Sequence, residues 1–332
     1  MRRGSIIFCA ALIAVVAVAS AAQLQNQPKA SADEQKAAQA IAAAADSTAK
    51  LKAATDFVKK YPKSALRPQV ARGLASHISS VKDAAQKATL AQSYQELFKE
   101  PSEQELIVPV TIEALTEAKR ADDAFAVGNA HLAKNPDSLA VLVQLVATGT
   151  DEAKNQNGKF VAQSIQYDSH AIELIEGNKK PADIDDASWT SYKTVVLPSL
   201  YQSMGLLNLV SGDRVKARAS YTKASEMAPS DPFNSVMLAG IINDEYQTEA
   251  KRYQGMADGP TRDEELKKAR TLLDAVIDAY AHAIALSEGN AALQSVRQQY
   301  LRDLEAYYKY RHNNSTAGMQ ELVDKYKLAA KP

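Results

Sequence analysis

The five histidines, His77, His131, His170, His282 and His312, are the first place to look for chemistry in this sequence. A metal site or a general base needs a second ligand at helical spacing or an adjoining carboxylate motif. These histidines are scattered, with neither feature beside them, and they read as solvated or core-edge side chains. Asp183, Asp185 and Asp186 lack the alternating oxygen ligands and central glycine of a calcium loop, and read as charge at a helix N-terminus. The sequence has no Gly-x-Ser-x-Gly, no phosphate-cradling glycine loop and no dinucleotide fingerprint. The expectation is a chain that is not an enzyme, with no catalytic, cofactor-binding or metal-ligating residue and no cofactor.

The run Tyr307-Tyr308-Lys309-Tyr310-Arg311-His312 offers binding rather than reaction. Tyrosine beside arginine makes interface anchors, and exposed rings stack on sugars or bases. Yet Tyr300, Leu304, Tyr307, Tyr308 and Arg311 share one helical face, as they would on a packed terminal helix. Both readings stand at this point. Fourteen tyrosines against six phenylalanines add an expectation of half-buried rings with polar tips near solvent.

The elements that hold these residues read as helical throughout. The composition is 46% hydrophobic and 23% charged with only 13 Gly and 12 Pro, and no segment alternates with period two. Lysine plus arginine equals aspartate plus glutamate at 39 each, so no net field gathers nucleic acid or anionic lipid. At the N-terminus Arg2 and Arg3 precede fourteen uncharged residues, Ile6 to Ala19, and the small-residue run Ala19-Ser20-Ala21-Ala22. This pattern predicts a signal peptide over residues 1–22, cleaved near Ala21 or Ala22, and a periplasmic or secreted chain. Fourteen residues span about 21 Å of a roughly 30 Å hydrocarbon layer, so no stable membrane span is expected after cleavage. Loss of Arg2 and Arg3 from the balanced charge leaves the mature chain near −2. The only cysteine, Cys9, goes with the leader, so packing alone must supply stability.

Residues 23–32 read as a flexible leader and 33–330 as one continuous helical array. Ser47 or Thr48 is expected to cap a second helix after a break near Asp46. Pro62, Pro101, Pro136, Pro181 and Pro229 stand 35 to 48 residues apart, most of them after lysine and before a capping residue. Lysine suits the last turn of a helix, proline stops it and serine or aspartate starts the next. The unit is a helix pair with one apolar face that it cannot bury alone, so neighbours must stack. Polar loops are expected at 148–159, 177–186 and 255–262, and a helix from Thr261 to Ser287.

One stretch carries a family pattern. Tyr201-x2-Met204-Gly205-x2-Asn208, followed by Ala217-x3-Tyr221-x2-Ala224-x4-Pro229, resembles a tetratricopeptide repeat over residues 198–231. Gly205 and Ala217 are small where the two helices cross, Ala224 where the next hairpin packs, and Tyr201 and Tyr221 wedge between them. Asn208 stands where the family usually has an aromatic ring. The next first helix fits at Leu238, Ala239 and Ile242, but the matching second-helix pattern at Tyr280 and Ala283 arrives about 25 residues late, which predicts elongated helices or an insertion. The N-terminal units keep the period and lose most signature residues.

The resemblance implies an all-α solenoid of stacked antiparallel hairpins forming a right-handed superhelix, whose inner surface receives a peptide or protein. Residues at carboxylate-clamp positions are Ser199, Gln202, Leu206, Phe233, Val236 and Gly240, so a chaperone-tail receptor is not expected. The functional expectation is a non-enzymatic protein- or peptide-binding scaffold of the bacterial cell envelope, with Gln202, Asn208, Tyr307, Tyr310 and Arg311 as candidate binding surface. The alternative is a small-molecule or glycan binding protein with an aromatic pocket between hairpins.

Overall fold

Helix boundaries follow the local chemistry of their ends. The computed structural model describes residues 30–181 and 184–329. The signal segment 1–22 with Cys9, residues 23–29 of the expected leader, and Asp183 lie outside the described residues, while the end of that leader is ordered as the cap and first residue of a helix. Helix α1 (Ala32–Ala43) opens with a capping box, in which Ser31 Oγ accepts from the Glu34 N–H and Glu34 Oε2 accepts from the Ser31 N–H at 2.6 Å. Helix α2 (Ser47–Lys60) is capped by Asp46, whose carboxylate accepts from the Ala49 N–H at 2.8 Å. The expected cap at Ser47 or Thr48 is therefore one or two residues out. Ser47 instead places its hydroxyl 2.9 Å from His77 Nε2.

The chain continues as α3 (Arg67–Ser79), α4 (Ala84–Leu97), α5 (Pro101–Glu117), α6 (Ala121–Leu132), α7 (Leu139–Lys154) and α8 (Val161–Glu176). Pro101 occupies the first turn of α5, so this proline opens a helix where the sequence pattern reads it as a stop. The loop expected at 148–159 shrinks in the same way, because α7 runs on to Lys154. Gly149 explains the difference: it is a crossing residue, and a Cβ there would lie 1.8 Å from Ser164 Oγ. Next come α9 (Asp186–Val210), α10 (Arg214–Met227), α11 (Pro232–Gln254), α12 (Pro260–Leu286), α13 (Gln294–Arg311) and α14 (Met319–Ala329). Among the described residues there is no strand, and the fold is an all-α stack of helix hairpins.

The single array expected over 33–330 divides into two compact units, with the boundary inside α9 between Lys193 and Thr194. In the N-terminal unit the first helices of successive hairpins, α1, α3, α5 and α7, each pack on the next, while α2, α4, α6 and α8 close their hairpins. Phe57, Ile78, Tyr94, Phe98 and Ile107 are buried at 2% exposure or less and fill the space between α2, α3, α4 and α5. One ion pair staples two first helices: Arg67 donates through Nε and a terminal nitrogen to both Glu103 oxygens, at 2.6 and 2.9 Å. The Arg67 guanidinium also lies over the Phe98 ring, 5.4 Å from its centroid.

The C-terminal unit is built differently. Helices α11 and α12 are long, and α12 packs on α11, α13 and α14. Aromatic rings occupy its centre: Tyr280 stacks on Tyr300 at 4.5 Å and on Tyr307 at 6.1 Å between centroids. The delayed second-helix pattern at Tyr280 is thus absorbed by helix elongation.

Candidate binding groove

The row of first helices in the N-terminal unit builds a cavity of about 460 Å³. Residues three, four and seven apart on a helix share a face. That rule brings Arg72, Ala75 and Ser76 of α3 beside Glu105, Leu106, Pro109, Val110 and Glu113 of α5. Leu139, Ala140, Val143 and Gln144 of α7 line the next side, and Leu174, Lys179, Lys180, Pro181, Ile184 and Tyr192 complete it. The walls are mostly aliphatic, with Tyr192 as their one aromatic ring. The volume lies inside the range of about 300–1,000 Å³ common to small-ligand sites.

The carboxylates of this lining are already engaged. Glu105 accepts from the Ser138 hydroxyl and stands 2.7 Å from His131 Nε2. Asp137 lies 2.8 Å from His170 Nε2. Burial pushes the Glu113 carboxyl above the usual range; the Lys87 ammonium, 3.8 Å away, opposes that shift and Glu117 adds to it. The cations are less committed. Lys180 pairs with Asp186 at 2.6 Å, Lys179 reaches only to 4.0 Å from Asp137, and Arg72 has no ion pair or hydrogen bond among the described residues. Pro109, inside α5, removes the N–H that would serve the Glu105 carbonyl.

The residues singled out from sequence sit elsewhere, in the C-terminal unit. In the 198–231 hairpin Ala217, Tyr221 and Ala224 are fully buried, and a Cβ on Gly205 would lie 2.6 Å from the Tyr221 ring. Tyr201 and Met204 are half-buried and Pro229 is exposed. A small residue thus faces a buried ring within this hairpin. Gln202 donates to Asp231 at 2.6 Å, and Asn208 is buried with its amide donating to the Met204 carbonyl at 2.8 Å. Tyr307 donates to Asn243 Oδ1 at 3.0 Å and accepts from Gln247, while Arg311 grips Asp274 at 2.7 and 3.2 Å. Tyr308 is buried, whereas Tyr310 is 76% exposed. The aromatic-basic run is thus largely committed to packing, and none of these residues lines the cavity.

The remaining candidates for chemistry are structural. Asp185 caps α9, accepting from the Ser188 N–H and hydroxyl, which hold its carboxyl below the usual range. Among the described residues no group of three or more His, Cys, Asp or Glu side chains gathers as metal ligands would, and no helix is long and apolar enough to cross a membrane. Sequence reasoning missed Arg72, Glu105, Glu113, Ala140 and Val143. The signal that could have found them is the run Glu105-x3-Pro109-x3-Glu113, which sets two acids and a proline on one helical face of a segment otherwise rich in apolar residues.

No family model matches the chain, and no curated protein matches it. Among solved structures it is similar to the crystal structure of a tetratricopeptide repeat protein from Parabacteroides merdae, at 11% identity and a TM-score of 0.41, over 81% of this chain and 98% of that one.

Proposed function

We propose that this protein is a non-enzymatic binding module of the bacterial cell envelope, whose N-terminal groove receives an apolar segment of a partner protein. The observation that carries the reading is the aliphatic cavity across three first helices, rimmed by carboxylates already satisfied from within. The internal partners of these carboxylates offset part of the cost of desolvating the rim, and the apolar walls of the cavity gain by being covered. The export pattern of residues 1–22 supplies the envelope address.

Two measurements test it. A photo-reactive amino acid at Ser76, on the groove, should give a discrete cross-linked adduct in the native host, and Ala140→Trp, which fills the cavity, should abolish it. An adduct indifferent to the filled groove would refute the assignment. N-terminal sequencing of the protein from the periplasmic or extracellular fraction should start near Gln23; a chain retained with Met1 would remove the envelope part of the reading.

A further inference from the structure

The chemistry of the groove also restricts the form of its guest, an inference that rests on the binding role proposed above. Its walls are helices, and backbone groups inside a helix bond along their own chain. They present no row of free N–H and C=O groups of the kind that holds an extended strand. One backbone acceptor is released, the Glu105 carbonyl opposite Pro109. The carboxylate acceptors that might replace part of such a row are spent: Glu105 on His131 and Ser138, Asp137 on His170. An extended peptide would bury its amides against aliphatic surface without partners. A helix brings its backbone bonds with it and needs only an apolar face.

The charges add orientation. Of the acids of the lining, Glu105 and Asp137 are engaged and Glu113 stands 3.8 Å from Lys87, while Lys179 lies 4.0 Å from Asp137; the charge left without a partner among the described residues is positive, on Arg72 of α3. We infer that the groove takes one face of an amphipathic α-helix of a partner protein, with aliphatic side chains spaced i, i+3 or i+4, and i+7 in the cavity and an acidic residue against Arg72.

The test uses the full mature chain and Nile red, an apolar dye, as an independent reporter of the groove. A stapled helical peptide with four leucines on one face, flanked by glutamates, should displace the dye. It should bind at least tenfold tighter than the same composition broken by two prolines. Arg72→Glu should weaken the glutamate peptide at least fivefold and strengthen its lysine counterpart. Dye binding unchanged by Ala140→Trp and by Ser76→Trp, which blocks the rim, would remove the groove itself and the binding role with it. Dye lost in those variants, yet displaced equally by the proline-broken peptide or by palmitate alone, would keep the groove and overturn the helical guest. Equal affinity of the glutamate and lysine peptides for both Arg72 and the Arg72→Glu variant would also overturn the inference.

Discussion

The two units solve the same problem, filling the space between stacked hairpins, with different side chains. The C-terminal unit uses tyrosine: Tyr246, Tyr280, Tyr300 and Tyr307 touch ring to ring. Two of their hydroxyls reach across to another helix, Tyr300 to the Val236 carbonyl at 2.9 Å and Tyr307 to Asn243 Oδ1 at 3.0 Å. Burial raises the Tyr300 hydroxyl to about 12, so it remains a donor at any physiological pH. The N-terminal unit also buries rings between its hairpins, among them Phe57, Tyr94 and Phe98, but the side of its first helices that bears Val, Leu and Ala encloses a cavity. Large amphipathic rings finish an interior, whereas small aliphatic side chains leave room for a guest.

That contrast can be broken or sharpened by substitution. The largest effect is expected in the ring-filled unit: Tyr221→Ala removes a fully buried ring and should cost about 3–5 kcal/mol in urea unfolding followed by circular dichroism. A cost below about 1 kcal/mol would mean that the ring is not the wedge that its burial implies. In the N-terminal unit Arg67→Ala strands Glu103, whose side chain is 6% exposed, and should cost about 3 kcal/mol. Trp189 is the only tryptophan and lies buried in that unit, so its fluorescence is the natural readout.

A smaller effect, of opposite sign, is expected at Asp168. The residue is fully buried on α8, neither carboxyl oxygen has a hydrogen-bond partner, and burial pushes its pKa well above the usual carboxylate range. The folded carboxyl therefore holds its proton more tightly than the unfolded one. Stability from this site is complete below the unfolded value of about 3.9 and is lost as pH rises toward the folded value. Asp168→Asn should stabilise the protein by about 1–3 kcal/mol at neutral pH and flatten the pH dependence. An unchanged pH profile of unfolding would show that the carboxyl is solvated. The smallest effect belongs to Tyr310→Ala, which removes a 76% exposed ring and should shift stability by less than about 0.5 kcal/mol.

Much of the fold was legible because its signals are local. Capping residues, last-turn lysines and the three-and-four spacing of apolar residues are visible within one helix, and the Gly205–Tyr221 crossing within one hairpin. The groove was not legible, because it is assembled from residues about one repeat apart. His131 meets Glu105, His170 meets Asp137 and Ser47 meets His77 at separations of 26, 33 and 30 residues. A histidine judged by its immediate neighbours looks idle when its carboxylate lies some thirty residues earlier, on or before the preceding helix. The repeat signature pointed the same way: it is clearest at 198–231, while the cavity formed where the signature fades.

The lengthening of α11 and α12 shows what stacking by neighbours permits. A hairpin that answers chiefly to the ones before and after it can gain several turns without forcing distant segments to be redrawn. Such a chain can be edited one module at a time, so its length and its lining are free to change independently over evolutionary time.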